Sequence, residues 1–68
     1  MYLEGNLIMN KIQELRKRIN LSQSKFAQYF NIPTRTIQHW EQDISKPPSY
    51  IPEMMERILD LEDKLRKE

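Results

Sequence analysis

Leu21-Ser22-Gln23-Ser24-Lys25-Phe26-Ala27-Gln28-Tyr29-Phe30-Asn31-Ile32-Pro33-Thr34-Arg35-Thr36-Ile37-Gln38-His39-Trp40-Glu41 is the stretch that decides the fold. Two short amphipathic helical patterns meet in it, across a tight break at Asn31-Ile32-Pro33. In the first, Phe26, Ala27 and Phe30 share one face, and Ser22 stands ahead of them as an N-cap. In the second, Ile37 and Trp40 share the apolar face, while Thr34, Arg35, Gln38 and His39 lie on the opposite one. Ala27 is small where the two helices must approach closely. Asn31 tolerates the left-handed conformation that ends a helix. Pro33 cannot continue the first helix but is suited to open the second. The pattern predicts helices over about 22–30 and 33–42, the second presenting a polar outer face.

Working outward, Asn10 followed by Gln13 has the form of a capping box, and Ile12, Leu15 and Ile19 follow at helical spacing. A first helix is therefore predicted over about 10–20. Residues 1–9 show no period and contain the only glycine, Gly5, so they read as a flexible N-terminal arm. On the other side, Pro47 and Pro48 break the loop that follows Asp43. A last helix is predicted over about 50–66, carrying Ile51, Met54, Ile58, Leu61 and Leu65 at alternating spacings of three and four. That is an a/d seam of two heptads. Either the whole seam closes the core over the first and third helices, or only its first half does. In the second case Ile58, Leu61 and Leu65 pair with a second copy.

Composition excludes more than it identifies. Sixty-eight residues suit one domain, close to the size at which a core is marginal. With no cysteine, disulfides, thiolate metal sites and cysteine nucleophiles are ruled out. One histidine and no glycine-rich loop leave little for catalysis, so no enzyme, cofactor or metal site is expected. No apolar run approaches the roughly 18 residues of a membrane span, and a cytoplasmic location is expected. The net charge of +1 conceals an asymmetry. Residues 10–46 carry seven bases against three acids (Glu14, Glu41, Asp43), whereas residues 47–68 carry four bases against six acids. A basic front half is the electrostatic footprint of a phosphate-backbone binder, though a modest one.

Leu21-Ser22-Gln23, then Phe26-Ala27, the break, and Thr36-Ile37 with Trp40-Glu41 together resemble the phage-repressor/Cro-like helix-turn-helix family, also called the xenobiotic-response-element family. The resemblance covers about residues 10–55, and it is the combination that is specific rather than any one piece. It implies an all-α bundle of four to five helices of the lambda-repressor-like type, here with a long C-terminal helix. The domain would run over residues 10–68, with the helix-turn-helix at 22–42. The implied function is a sequence-specific double-stranded DNA-binding transcriptional regulator of a bacterium or phage, a repressor. Its third helix would read the major groove, and a homodimer would bind an inverted repeat.

Residue by residue, the resemblance assigns base contacts to Gln23, Thr34, Arg35, Gln38 and His39. It assigns phosphate contacts to Ser22, Gln42, Ser45 and Lys46. Arg16 and Glu41 match a pair that joins the first helix to the end of the third in relatives. The chemistry suits these roles, since Arg can bond guanine O6/N7 bidentately and Gln adenine N6/N7. Asn31 departs from the usual turn glycine, and Pro33 stands where a capping Ser or Thr is common. Many relatives also end in a fifth helix. The alternative reading is an antitoxin-like interaction protein that grips a small protein partner through its C-terminal helix.

Overall fold

A computed structural model of the chain describes residues 10–67. They form four α-helices and no strand: α1 (Lys11–Arg18), α2 (Gln23–Phe30), α3 (Thr34–Glu41) and α4 (Tyr50–Lys67). This is the all-α bundle with a long last helix that the sequence predicts. The expected arm at 1–9 lies outside the described residues.

One device closes the first three helices. Asn20, Asn31 and Asp43 follow α1, α2 and α3, each with φ near 60°. After α1, the Asn20 N–H donates to Lys17 O and the Leu21 N–H to Arg16 O. After α2, the Asn31 N–H donates to Gln28 O and the Ile32 N–H to Ala27 O. After α3, the Asp43 N–H donates to Trp40 O and the Ile44 N–H to His39 O. All three are Schellman motifs, in which a left-handed residue folds the chain back so that two late amides cap the last carbonyls. Glycine would be the default there, and Asn or Asp is the next most tolerant choice. Of the consecutive pairs α2 and α3 pack closely, and α1 meets α3 and α4.

The core draws on all four helices. Ile12 and Leu15 of α1, Phe26 and Ala27 of α2, Ile37 of α3, and Met55 and Leu59 of α4 are buried. Ile19, Leu21, Phe30, Ile32, Trp40 and Ile51 pack around them, partly buried. Phe26 and Phe30 meet edge to face with ring centroids 5.1 Å apart. Phe26 and Ile37 are the largest fully buried side chains, one on each side of the turn. They clamp α2 to α3, and truncating Phe26 to Ala would cost roughly 3–5 kcal/mol.

The C-terminal helix corrects one expectation. Its core-facing side chains are Ile51, Met55 and Leu59, so of the Ile51–Met54–Ile58–Leu61–Leu65 seam only Ile51 turns inward. Met54, Ile58, Leu61 and Leu65 are all exposed, so the seam as a whole does not close the core. The physical reason is that α4 carries two apolar stripes. Residues 51, 55 and 59 advance four at a time and meet α1, while 54, 58, 61 and 65 lie about a quarter-turn round the helix. Three-four spacing from Ile51 crosses from one stripe to the other. Lys11 pairs with Glu56 at 3.2 Å and Arg18 with Asp60 at 2.7 Å, tying α1 to α4 along their exposed edges. Exposed pairs of this kind contribute roughly 0–1 kcal/mol each.

Candidate nucleic-acid interface

The two faces of α3 are treated very differently. On the inner side Ile37 is buried, Trp40 packs on the core, and Glu41 points into a polar joint. Arg16 Nε donates to Glu41 Oε2 at 2.6 Å, and Arg16 Nη2 donates to Glu41 Oε1 at 3.0 Å. A third guanidinium donor, Nη1, reaches Leu21 O at 3.0 Å. The two side chains are 15% and 4% exposed, so this pair, unlike the surface bridges, is largely removed from water. The hydrogen bonds Arg16 donates to Glu41, together with the carboxylate's charge, raise the Arg16 pKa above the ordinary guanidinium value against the opposing effect of burial. One residue thus anchors the end of α3 to α1 and to the turn leading into α2.

Asn10 completes the anchor in a way its sequence context does not reveal. Its Oδ1 accepts from the Gln13 N–H at 3.0 Å, capping α1. Its Nδ2 donates to Trp40 O at 2.8 Å and to Glu41 O at 3.0 Å. One side chain therefore caps the start of α1 and satisfies carbonyls at the end of α3. The cap is legible from Asn10 and Gln13, but the contact to residues thirty positions away leaves no local signal.

The outer side of α3 is unengaged. Arg35 is exposed, and Thr34, Gln38 and His39 are half-buried. Among the described residues none of these four side chains makes a hydrogen bond or an ion pair. Pro33 opens the helix with φ −59° and ψ 140° and provides no side-chain cap. The first amides of α3 are thus free of a side-chain acceptor at the positive end of its dipole.

The remaining sequence-assigned residues divide. Ser22 is the N-cap of α2, its Oγ accepting from the Lys25 N–H at 3.1 Å, which leaves the hydroxyl proton to donate elsewhere. Gln23 is half-buried, and its Nε2 donates to Glu41 Oε1 at 3.1 Å, so it braces α2 against α3. Its amide oxygen has no partner among the described residues. Gln42, Ser45 and Lys46 are exposed in the turn and loop after α3, which the Schellman closure holds against the helix end. Ile58, Leu61 and Leu65 are not brought near any of these; they line the outer stripe of α4.

The structure also redistributes the charge. Arg16 is committed to Glu41, Lys11 to Glu56 and Arg18 to Asp60. The bases of residues 10–46 without an acidic partner among the described residues are Lys17, Lys25, Arg35 and Lys46. Three of these four lie on α2, on α3 or in the loop after α3.

Two helices locked through a tight turn, the second with an anchored inner face and an unengaged polar outer face, define a helix-turn-helix domain. The Helix-turn-helix family model matches residues 12–51, more than half of the chain. The chain belongs to that family, of the phage-repressor/Cro-like type, and is in general terms a DNA-binding regulator. No curated protein and no solved structure matches it significantly. Among the described residues no helix is long and apolar enough to cross a membrane.

Proposed function

We propose that the protein is a sequence-specific double-stranded DNA-binding transcriptional repressor that lays α3 in the major groove. The observation that carries the reading is the row Thr34, Arg35, Gln38 and His39, unengaged on a helix whose other side is fixed at Ile37, Trp40 and Glu41. Arg35, exposed near the N-terminus of α3, reads guanine O6/N7, and Gln38, one turn on, reads adenine N6/N7. Thr34 and His39 flank them. Gln23, with one amide N–H held by Glu41, keeps its oxygen to accept from an exocyclic amine and its second N–H to donate. Ser22, Gln42, Ser45 and Lys46 contact phosphates on either side of the groove and set the docking register.

One such helix reads only a few base pairs. A homodimer, with Ile58, Leu61 and Leu65 at its seam, places two copies on an inverted repeat with half-sites roughly 34 Å apart. Repression then follows from occupancy of a promoter, in a bacterial or phage setting. Arg35→Ala and Gln38→Ala are each expected to lose about 1–3 kcal/mol of discrimination at one base pair per half-site, with the fold unchanged. Retained specificity in both variants, measured by competition between matched and mismatched duplexes, would refute the assignment of α3.

A further inference from the structure

The outer stripe of α4 is a surface without an occupant. Met54 is 52% exposed, Ile58 39%, Leu61 59% and Leu65 71%, and they follow one another at spacings of four, three and four. In heptad terms Ile58 and Leu65 are a positions, and Met54 and Leu61 are d positions. Ile58 at a followed by Leu61 at d is the combination that favours two parallel strands, with Met54 at d and Leu65 at a extending the apolar seam on either side.

The charges beside the stripe select its partner. Glu56, Asp60 and Asp63 of α4 are each bridged within the chain, to Lys11, Arg18, and Arg66 with Lys67. Arg57 and Glu62, both exposed, have no ion-pair partner among the described residues. They stand on opposite flanks of the stripe, Arg57 at g and Glu62 at the following e position. In a parallel pair that spacing sets Arg57 of each copy beside Glu62 of the other. In an antiparallel pair the g positions face each other, bringing Arg57 against Lys64 of the second copy, a like-charge contact.

We infer that α4 pairs with α4 of a second copy, in parallel and in register, through Met54, Ile58, Leu61 and Leu65 with reciprocal Arg57–Glu62 ion pairs. The inference rests on the homodimer reading above and adds to it the orientation, the register and the charged residues that select a copy of the same chain. The self-complementary flank fits a twofold assembly, in which each copy presents the same patch.

The chain has no cysteine, so introduced cysteines report orientation without interference. Leu65→Cys and Met54→Cys are made singly, oxidised in dilute solution as full chains, and compared with an equimolar mixture of the two. A parallel seam cross-links each variant to itself. An antiparallel one leaves like residues about 16 Å apart, far beyond disulfide reach, and cross-links the two variants to each other. Cross-linking of each variant with itself is expected, and cross-linking confined to the mixture would overturn the parallel register while leaving a homodimer in place. Sedimentation then tests the charges. Arg57→Glu and Glu62→Arg are each expected to raise the dimer dissociation constant about tenfold, and the double variant to restore it. Unchanged dimerisation in both single variants would overturn the assigned pairs. Leu61→Asp is expected to yield folded monomers whose melting temperature, unlike that of the wild type, does not rise with protein concentration. Wild-type protein that stays monomeric at every concentration would overturn the homodimer itself, and α3's half-site affinity, measured on the Leu61→Asp monomer, reports DNA reading separately.

Discussion

Asn10 offers a sharp test of how α3 is held. Replacing it with Asp retains a carboxyl oxygen for the Gln13 N–H, and Asp is as good an N-cap as Asn. The change removes only the two N–H donors that reach Trp40 O at 2.8 Å and Glu41 O at 3.0 Å. Each such bond contributes about 1 kcal/mol net. The substitution also sets a negative charge against the negative end of the α3 dipole, costing about a further 0.3–1 kcal/mol. Asn10→Asp is therefore expected to destabilise by about 2–3 kcal/mol. Asn10→Ser, which caps equally well but has no amide, is expected to cost about 2 kcal/mol. In a domain of this length, whose total stability is of order 3–10 kcal/mol, that is a large share. It corresponds to a fall in Tm of about 10–20 °C, readable by circular dichroism at 222 nm. If Asn10 were merely a cap, both variants would melt with the wild type. Melting curves within about 3 °C of wild type, less than one such bond is worth, would refute the bridge.

The Arg16–Glu41 joint is expected to show the asymmetry of desolvated pairs. Glu41→Leu or Arg16→Met alone should cost roughly 3–5 kcal/mol, while the double variant recovers most of it in a double-mutant cycle, and strict additivity would contradict a coupled pair. Because the Arg16 pKa is raised in the fold, its contribution is present below the unfolded value and is lost only as pH rises through the folded one. Mild alkaline titration of wild type should therefore leave the joint intact. At Asn31, whose φ is 59°, Gly should match or exceed wild-type stability and Ala should lose about 1 kcal/mol, a difference that denaturant midpoints resolve. Equal midpoints would mean that the left-handed turn is not what limits Ala there. Lys46→Ala should weaken binding to all duplexes alike and reduce the slope of log K against log salt by about one, and an unchanged slope removes Lys46 from the contacts.

The helix-turn-helix was legible because its signals are local. Ser22 before an apolar face, Asn31 at the turn and Pro33 at the next helix start each act within a few residues, and residues 22–42 fold accordingly. The packing of Phe26, Ala27 and Ile37 follows from periodicity alone. The last helix was legible in extent but not in orientation. Periodicity records which residues are apolar, and only the docking of α1 decides that Met55 and Leu59, rather than Met54 and Ile58, turn inward. The same limit applies to polar residues whose partners are distant in sequence. Gln23 reads as an exposed residue at a helix start, yet its amide lies against Glu41. Arg18 counts among the seven bases of residues 10–46, yet it faces Asp60. For the row at Thr34, Arg35, Gln38 and His39, sequence and structure supply the same kind of support: residues of suitable chemistry on a face that the fold leaves unengaged.

The central claim is that this row reads base sequence. Its most direct test is selection of bound duplexes from a random pool, run in parallel with wild type, Arg35→Ala and Gln38→Ala. Wild type should enrich an inverted repeat with half-site centres about one helical turn apart. Each variant should lose preference at one symmetric pair of positions while melting as wild type does. Enrichment of the same motif by all three proteins, or of none by wild type at low salt, would contradict it.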